Sequence, residues 1–127
     1  MIYIVENVLT ILLATFAGLA IGLVWLRVSG ILLPGKRTIV FAAIAEFWLA
    51  AILAGALILS PPQAGPWVMA LGSAFVIWIG FVLPAISVSY VVAGKNTQAA
   101  ISASVHWLAV MLAQAAIMQA IGLTAPA

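Results

Sequence analysis

Two side chains that can bind or transfer a proton, Glu46 and His106, lie inside apolar stretches of this sequence. Glu46 interrupts the run "AAIAEFWLAA", and His106 interrupts the run "ASVHWLAVML". An acid and an imidazole brought together could hold a proton, form an ion pair or bind a cationic ligand. His106 could also be an axial haem ligand, but six-coordinate haem iron would then need a second chain or a different residue as its other ligand.

The energetics of Glu46 leave its charge state open. A charged carboxylate at the centre of a membrane costs about 2.5 to 3.5 kcal/mol. Protonating a free Glu at pH 7 costs about 3.7 kcal/mol. Because the two costs are similar, an isolated Glu46 would be poised between its forms. Ionisable residues inside a membrane are functional candidates, but a purely structural hydrogen bond to His106 or a serine is an equal alternative.

The composition indicates what solvent surrounds these residues. The chain is 68% hydrophobic and only 5% charged, whereas soluble domains carry about 25% charged residues. A water-soluble fold of this composition could not cover its surface with polar groups. The sequence therefore predicts an all-α integral membrane protein with a single domain, residues 1–127.

The same composition excludes several chemistries. The chain has no cysteine, which excludes disulfides and thiolate sites. Its four basic residues are too few for a nucleic-acid surface. A catalytic zinc site needs three protein ligands, and the only candidates are Glu6, Glu46 and His106, of which Glu6 belongs to the opposite membrane face. We therefore expect no metal site and no enzymatic activity.

Four runs of about 20 or more mostly apolar residues have the length of membrane-spanning helices. They are residues 7–27, 38–60, 67–93 and 98–123. The connectors between them, "VSGILLPGKR", "PPQAGP" and "GKNT", are rich in Gly, Pro and small polar residues, as turns are.

The basic residues predict the orientation of these helices. All four flank the first and third connectors: Arg27, Lys36, Arg37 and Lys95. Because cytoplasmic loops collect Lys and Arg, both termini should face outward. The protein is then a multi-pass protein of the inner (plasma) membrane of a bacterium, and these four side chains should contact anionic lipids.

An internal repeat relates two of the helices. Residues 35–58 align without a gap with residues 94–117. Gly-Lys-x-Thr and Trp-Leu-Ala both recur, and Trp48 aligns with Trp107. Glu46 then falls one position from His106. The repeat predicts two helical hairpins of the same orientation, related by an axis along the membrane normal.

Small residues predict where the helices meet, because they allow close approach in lipid. Glu46 and His106 lie on small or polar stripes of the second and fourth helices, and four inward stripes predict a compact four-helix bundle. The packing residues expected in the first and third helices are Ala14, Gly18, Gly22, Gly72, Gly80 and Pro84.

The candidate binding site combines the stripes with the repeat. Glu46 and His106 are its central residues, because they lie at one nominal depth. Ser102 shares the His106 stripe, and the repeat adds Trp48 and Trp107. We expect this set to bind a proton, a lipid or a small ligand.

The sequence also resembles a known family. The segments "NVLTILLATFAGLAIGLVW" and "WIGFVLPAISVSYVVAGKNTQAAISASVHWL" are similar to the domain of unknown function 1761 family of small bacterial membrane proteins. The resemblance rests on Trp25, Gly80-Phe81, Tyr90, Gly94-Lys95 and His106. It differs at Leu26, where the family usually has Tyr, and it does not extend to Glu46. It implies four spans and no established activity.

Two functions follow as expectations. One is a small membrane protein that binds a proton, lipid or small ligand at the Glu46–His106 site. The alternative is an accessory or scaffolding subunit in which that pair is structural. The expected partners are the lipid bilayer and either further copies of the chain or a larger membrane complex.

Overall fold

The polypeptide is helical throughout and has no β-strand. The computed structural model describes all residues from Met1 to Ala127. Six α-helices and one π-helical turn follow one another: α1 (Ile2–Glu6), α2 (Val8–Val28), α3 (Lys36–Ile58), α4 (Pro66–Ile77), the π-turn (Trp78–Val82), α5 (Leu83–Val92) and α6 (Thr97–Ile121).

Four helical stretches are long and apolar enough to cross a membrane. They are Val8–Val28, Lys36–Ile58, Pro66–Val92 and Thr97–Ile121, and we refer to them as the first to fourth spans. The third span combines α4, the π-turn and α5. The predicted boundaries differ from these by two residues or fewer. We call the end of the bundle with the four basic residues the basic end, and the end with both chain termini the terminal end.

The first and third spans end in the same way at the basic end. Each is followed by a glycine at φ +67°, Gly30 and Gly94, a conformation that side chains disfavour. The N–H groups of the glycine and the next residue bond to carbonyls of the last helical turn, at 3.2 and 3.0 Å after the first span and at 3.0 and 2.9 Å after the third. This paired bonding satisfies carbonyls that a helix end otherwise leaves free.

The two Gly-Lys-x-Thr motifs of the predicted repeat differ in conformation. Gly35 precedes α3 with φ −68°, whereas Gly94 follows the third span with a positive φ. The residue that caps α6 is Asn96, whose side chain accepts a hydrogen bond of 2.8 Å from the N–H of Ala99. Since Gly30, not Gly35, is the conformational counterpart of Gly94, the motif match does not by itself support the repeat.

The fourth span is the central helix of the bundle. The first span packs against the second and the fourth, and the third span lies along the fourth. The second and third spans meet only through α4, and the first and third have no close backbone contact. The second and third spans therefore separate towards the basic end.

A dry core fills the terminal half of the bundle. Ten buried apolar residues form one cluster: Ile11, Ala14, Ala50, Ala51, Leu53, Ala54, Ala74, Met111, Ala115 and Met118. They come from the N-terminal halves of the first and third spans and the C-terminal halves of the other two. Most are alanine, so the helices approach closely there, as small residues permit in membranes.

The packing face predicted for the third span is wrong. Gly72, Gly80 and Pro84 are exposed, and a methyl group added to either glycine would meet no atom within 4 Å. The buried residues of this span are Ala70 and Ala74. Ala70 and Ala74 are spaced by one helical turn, and Gly72, midway between them, lies on nearly the opposite side of a 3.6-residue helix.

A tryptophan fixes the face that the third span turns towards the fourth. The indole N–H of Trp78 donates a hydrogen bond of 2.8 Å to the carbonyl of Ser104. Trp78 begins the π-turn, and the N–H of Leu83 bonds back to the Trp78 carbonyl. Pro84, which has no N–H to donate, follows at once, so the widened turn lies where proline would break a regular helix.

Side-chain hydrogen bonds join the two chain termini at the terminal end. The side-chain amide of Asn7 donates to the carbonyl of Thr124 at 2.8 Å and accepts from its N–H at 2.7 Å. Asn7 also breaks the helix between α1 and α2. The hydroxyl of Tyr3 donates to the carbonyl of Ala51 at 3.1 Å, which holds α1 against the second span.

A substitution at Gly55 tests the docking of α1 against the second span. A methyl group at Gly55 would lie 2.8 Å from the hydroxyl of Tyr3 and 3.0 Å from its ring. We expect Gly55→Ala to displace Tyr3, to lower the free energy of unfolding in detergent by about 1 to 3 kcal/mol, and to speed hydrogen exchange in residues 2–6.

Gly72→Ala is the matched control, since it makes the same change where nothing lies nearby. It should be neutral or stabilise the helix by up to about 1 kcal/mol. Equal stability of the two variants, with unchanged exchange in residues 2–6, would contradict the docking of Tyr3 beside Gly55.

Candidate functional site

Three polar side chains meet against two glycines between the first, second and fourth spans. A methyl group at Gly18 would overlap Oε2 of Glu46 and lie 3.0 Å from Nε2 of Gln114. A methyl group at Gly22 would lie 3.5 Å from Nε2 of His106 and 4.0 Å from Oε1 of Glu46. The carboxylate of Glu46 therefore lies between His106, which is nearer the basic end, and Gln114, which is nearer the core. We call this row of three polar side chains the polar seam.

The first span approaches this cluster without side chains. Gly18 and Gly22 are one helical turn apart and so share a face of α2. Their lack of a Cβ leaves the room that the Glu46 carboxylate occupies at Gly18. The two glycines were predicted as packing residues, and the structure makes them one wall of the polar cluster.

The polar atoms of this cluster are buried without hydrogen-bond partners. They are Oε2 of Glu46, Nε2 of His106 and both side-chain polar atoms of Gln114. Glu46 is 4% exposed and Gln114 is fully buried. Most buried polar groups in proteins are hydrogen-bonded, so this is an incomplete polar network in which Glu46 and His106 are neighbours but not an ion pair.

Two tryptophans hold the His106 ring. Trp25 stacks on it with centroids 4.6 Å apart and an angle of 18° between planes. Trp107 lies 5.2 Å away at 55°. The indole N–H of Trp25 donates to the hydroxyl of Ser102 at 3.1 Å, which fixes the indole. Ser102 thus acts on the site through Trp25, by holding the surface against which the imidazole stacks.

An apolar pocket of about 430 Å³ leads to this cluster from the basic half of the bundle. It lies between the first and second spans, under the connector that follows the first span. Its walls include Leu23, Leu26, Ile31, Phe41 and Ala42. Glu46, His106 and Trp107 also line it, and Glu46 and His106 are its only ionisable residues.

On the side of the cluster that faces the terminal end, the apolar core closes the polar seam. Ala14 precedes Gly18 by one turn, Ala50 follows Glu46 by one turn, and Met118 follows Gln114 by one turn; all three are fully buried. The polar seam therefore ends among apolar side chains, and the pocket is a blind cavity of the basic half.

The structure brings some predicted site residues together and separates others. Glu46, His106 and Trp107 line one pocket. Ser102 does not line it, but it accepts a hydrogen bond from Trp25, which does. Trp48 is 53% exposed and lies outside the pocket, so its inclusion through the repeat is wrong. The four basic residues are exposed at the basic end, where their contact with anionic lipids stays a prediction.

Sequence analysis missed two members of the site, Gln114 and Trp25. Gln114 lies eight residues after His106, on a neighbouring face of the same helix, and a polar side chain in an apolar run was the available signal. Trp25 resembles an interfacial tryptophan in sequence. Its stacking on His106 could not be read from spacing, because the two residues belong to different spans.

Comparison with known proteins does not assign this chain to a family. No family model, no curated protein and no solved structure matches it. The resemblance to the domain of unknown function 1761 family therefore stays a prediction.

Gly18→Ala tests the placement of the Glu46 carboxylate. The added methyl group would force Glu46 and Gln114 to shift, so we expect the free energy of unfolding to fall by about 1 to 3 kcal/mol. Gly22→Ala is the matched control, because its methyl group would make only ordinary van der Waals contacts. Thermal or denaturant unfolding in detergent measures both changes.

A double variant separates this contact from a general effect on the helix. Glu46→Ala removes the atoms that the new methyl group would meet, so the cost of Gly18→Ala should largely vanish in its presence. The same cost with and without the Glu46 carboxylate would contradict the geometry described here.

Proposed function

We propose that this protein binds a small amphipathic molecule in the pocket between its first and second spans. The observation that supports this is the pocket's chemistry: apolar walls that end at a buried carboxylate and an imidazole. Ligand sites are typically concave and mostly apolar with a few placed polar groups. Glu46 and His106 line the inner end of this pocket, and Oε2 of Glu46 and Nε2 of His106 have no hydrogen-bond partner.

The closed terminal half favours binding over conduction. A channel needs a continuous polar path, whereas the seam beyond Gln114 is filled by the dry core. A ligand would reach Glu46 only from the basic half, either from water at that end or from the surrounding lipid.

We further propose that the basic end faces the cytoplasm of a bacterial cell and that both termini face outward. The support is the location of Arg27, Lys36, Arg37 and Lys95 at one end of the bundle, since cytoplasmic loops collect basic residues. In the inner (plasma) membrane these side chains would lie among anionic headgroups, and the pocket would then open in the cytoplasmic half of the bilayer.

A pocket-filling variant tests the binding function. Three probes share one twelve-carbon chain and differ in the headgroup: dodecylamine, dodecanol and dodecanoate. In nanodiscs of zwitterionic lipid, at least one should change the tryptophan fluorescence saturably, because Trp25 and Trp107 line the pocket. Ala42→Phe fills the same space and should weaken that binding by about tenfold or more, a loss of about 1.4 kcal/mol.

Val88→Phe is the matched control. Val88 is 63% exposed on the third span, away from the pocket, so this variant should titrate like the wild type. If no probe gives a saturable signal that Ala42→Phe weakens, the protein does not bind such molecules in this pocket.

The second candidate function is an accessory subunit of a larger membrane complex. One observation favours it: only Ala70 and Ala74 of the third span are buried, which leaves a long apolar face for a partner. The Glu46–His106 pair would then be structural.

A bulky residue on that face separates the two functions. If the protein is a subunit, Gly80→Trp should release it from a complex in mild detergent, while Ala42→Phe should leave the complex intact. Light scattering of the purified protein measures the change in mass. A wild-type protein that is homogeneous and no larger than a dimer would contradict the accessory function.

A further inference from the structure

Glu46 is the only acidic residue in the lining of the pocket. Glu46 is the only acidic residue within the four spans, and it is 4% exposed. Oε2 of its carboxyl group has no hydrogen-bond partner in this chain, and the carboxyl group forms no ion pair. A charge buried away from water is normally paired, so the carboxyl group is either neutral or paired with a cation from outside the chain.

The ligand headgroups can be ranked against this site. An anionic headgroup would be repelled by an ionised Glu46 and would gain no charge pairing from a protonated one. A neutral hydroxyl could form a hydrogen bond with either form but would supply no charge to pair with the carboxylate. A cationic headgroup supplies the missing charge, and the aromatic rings of Trp25, Phe41 and Trp107 in the pocket lining offer faces that attract cations.

We propose that the ligand is a lipophilic amine in its ammonium form. This inference rests on the proposed function above and names its ligand class. The ammonium group pairs with the carboxylate of Glu46, and the hydrocarbon part fills the apolar pocket. In the empty protein Glu46 carries a proton, so binding exchanges one cation for another: the carboxylic acid and the ammonium ion give the ion pair and one free proton.

The charges around Glu46 determine how this exchange depends on pH. His106 of the fourth span is the only other titratable group at the cluster. The first span presents Gly18 and Gly22, the connector after it carries no charge before Lys36, and α4 carries no titratable residue. Lowering the pH favours the protonated form of Glu46, because protons compete with the ammonium group for the carboxylate. A protonated His106 would also repel the ammonium group, so both effects weaken binding in acid.

The basic end affects the route of entry. Arg27, Lys36 and Arg37 are exposed near the mouth of the pocket and repel cations arriving through water. Glu46 lies ten residues beyond Lys36, about 15 Å along the helix, so the bound ammonium group lies well below the end where Lys36 and Arg37 are exposed. Lipid is therefore the favoured route of entry for a cation.

The headgroup series tests the ligand class on the unmodified protein. At neutral pH the wild type in zwitterionic nanodiscs should bind dodecylamine about tenfold or more tightly than dodecanol or dodecanoate, as expected for a charge-assisted hydrogen bond. Between about pH 8 and pH 5 the affinity for dodecylamine should fall, by up to about tenfold per pH unit once Glu46 is mostly protonated. A pH dye in weak buffer should record one proton released per ligand bound.

Two neutral amide variants assign the effect to a residue. Glu46→Gln should abolish the preference for the amine and flatten its pH dependence. His106→Gln should keep the amine preference, because it removes a group that opposes the cation. A structural Glu46–His106 pair predicts instead that both variants are destabilised to a similar extent and that neither changes headgroup preference.

The outcomes distinguish the ligand class from the proposed function. If dodecanol or dodecanoate binds as tightly as dodecylamine, and Ala42→Phe still weakens binding, the pocket binds ligands but the amine class is wrong. If dodecylamine binding does not change with pH, the proton exchange is wrong. If Ala42→Phe affects no probe, the proposed function is itself wrong.

Discussion

A carboxyl group inside hydrocarbon must be neutral or paired, and the surroundings of Glu46 are arranged around that requirement. The cost of an unpaired charge there, about 2.5 to 3.5 kcal/mol, would take a large part of the net stability of a domain, about 5 to 15 kcal/mol. Gly18 and Gly22 make room for the carboxylate against the first span. Gln114 lies on one side of it and His106 on the other, yet no basic side chain of the chain pairs with it.

The two halves of the bundle are packed differently. In the terminal half, alanine and methionine side chains form a dry core, and hydrogen bonds from Tyr3 and Asn7 hold the chain ends in place. In the basic half the second and third spans separate, and the connector after the first span covers a cavity of about 430 Å³. The polar cluster lies where these two halves meet, so the core supports the site from one side only.

Much of this architecture could be predicted from the sequence. The four spans could be predicted because an apolar run of about 20 residues between Pro- and Gly-rich connectors has few alternatives to a membrane-spanning helix. The shared depth of Glu46 and His106 followed from counting residues along two helices that start at the same end. What counting cannot supply is the rotation of each helix, and for that reason Gly72 and Gly80 were assigned to the wrong face.

The other errors have the same physical origin. The predicted repeat aligns Trp48 with Trp107, but the fourth span is surrounded by helices and the second is not. One tryptophan therefore lines the pocket and the other is exposed. Trp25 and Gln114 belong to the site because of contacts between different spans. Such contacts depend on how side chains interlock in three dimensions, for which a single sequence carries no periodic signal.

The bond pair between Asn7 and Thr124 has a consequence for motion. It holds the start of the first span against the end of the fourth at the terminal end. Movement of the first span relative to the fourth is therefore less restricted at the basic end, where the pocket lies. The connector after the first span has five residues without regular secondary structure, from Ile31 to Gly35, so no continuous helix couples the first span to the second at the basic end.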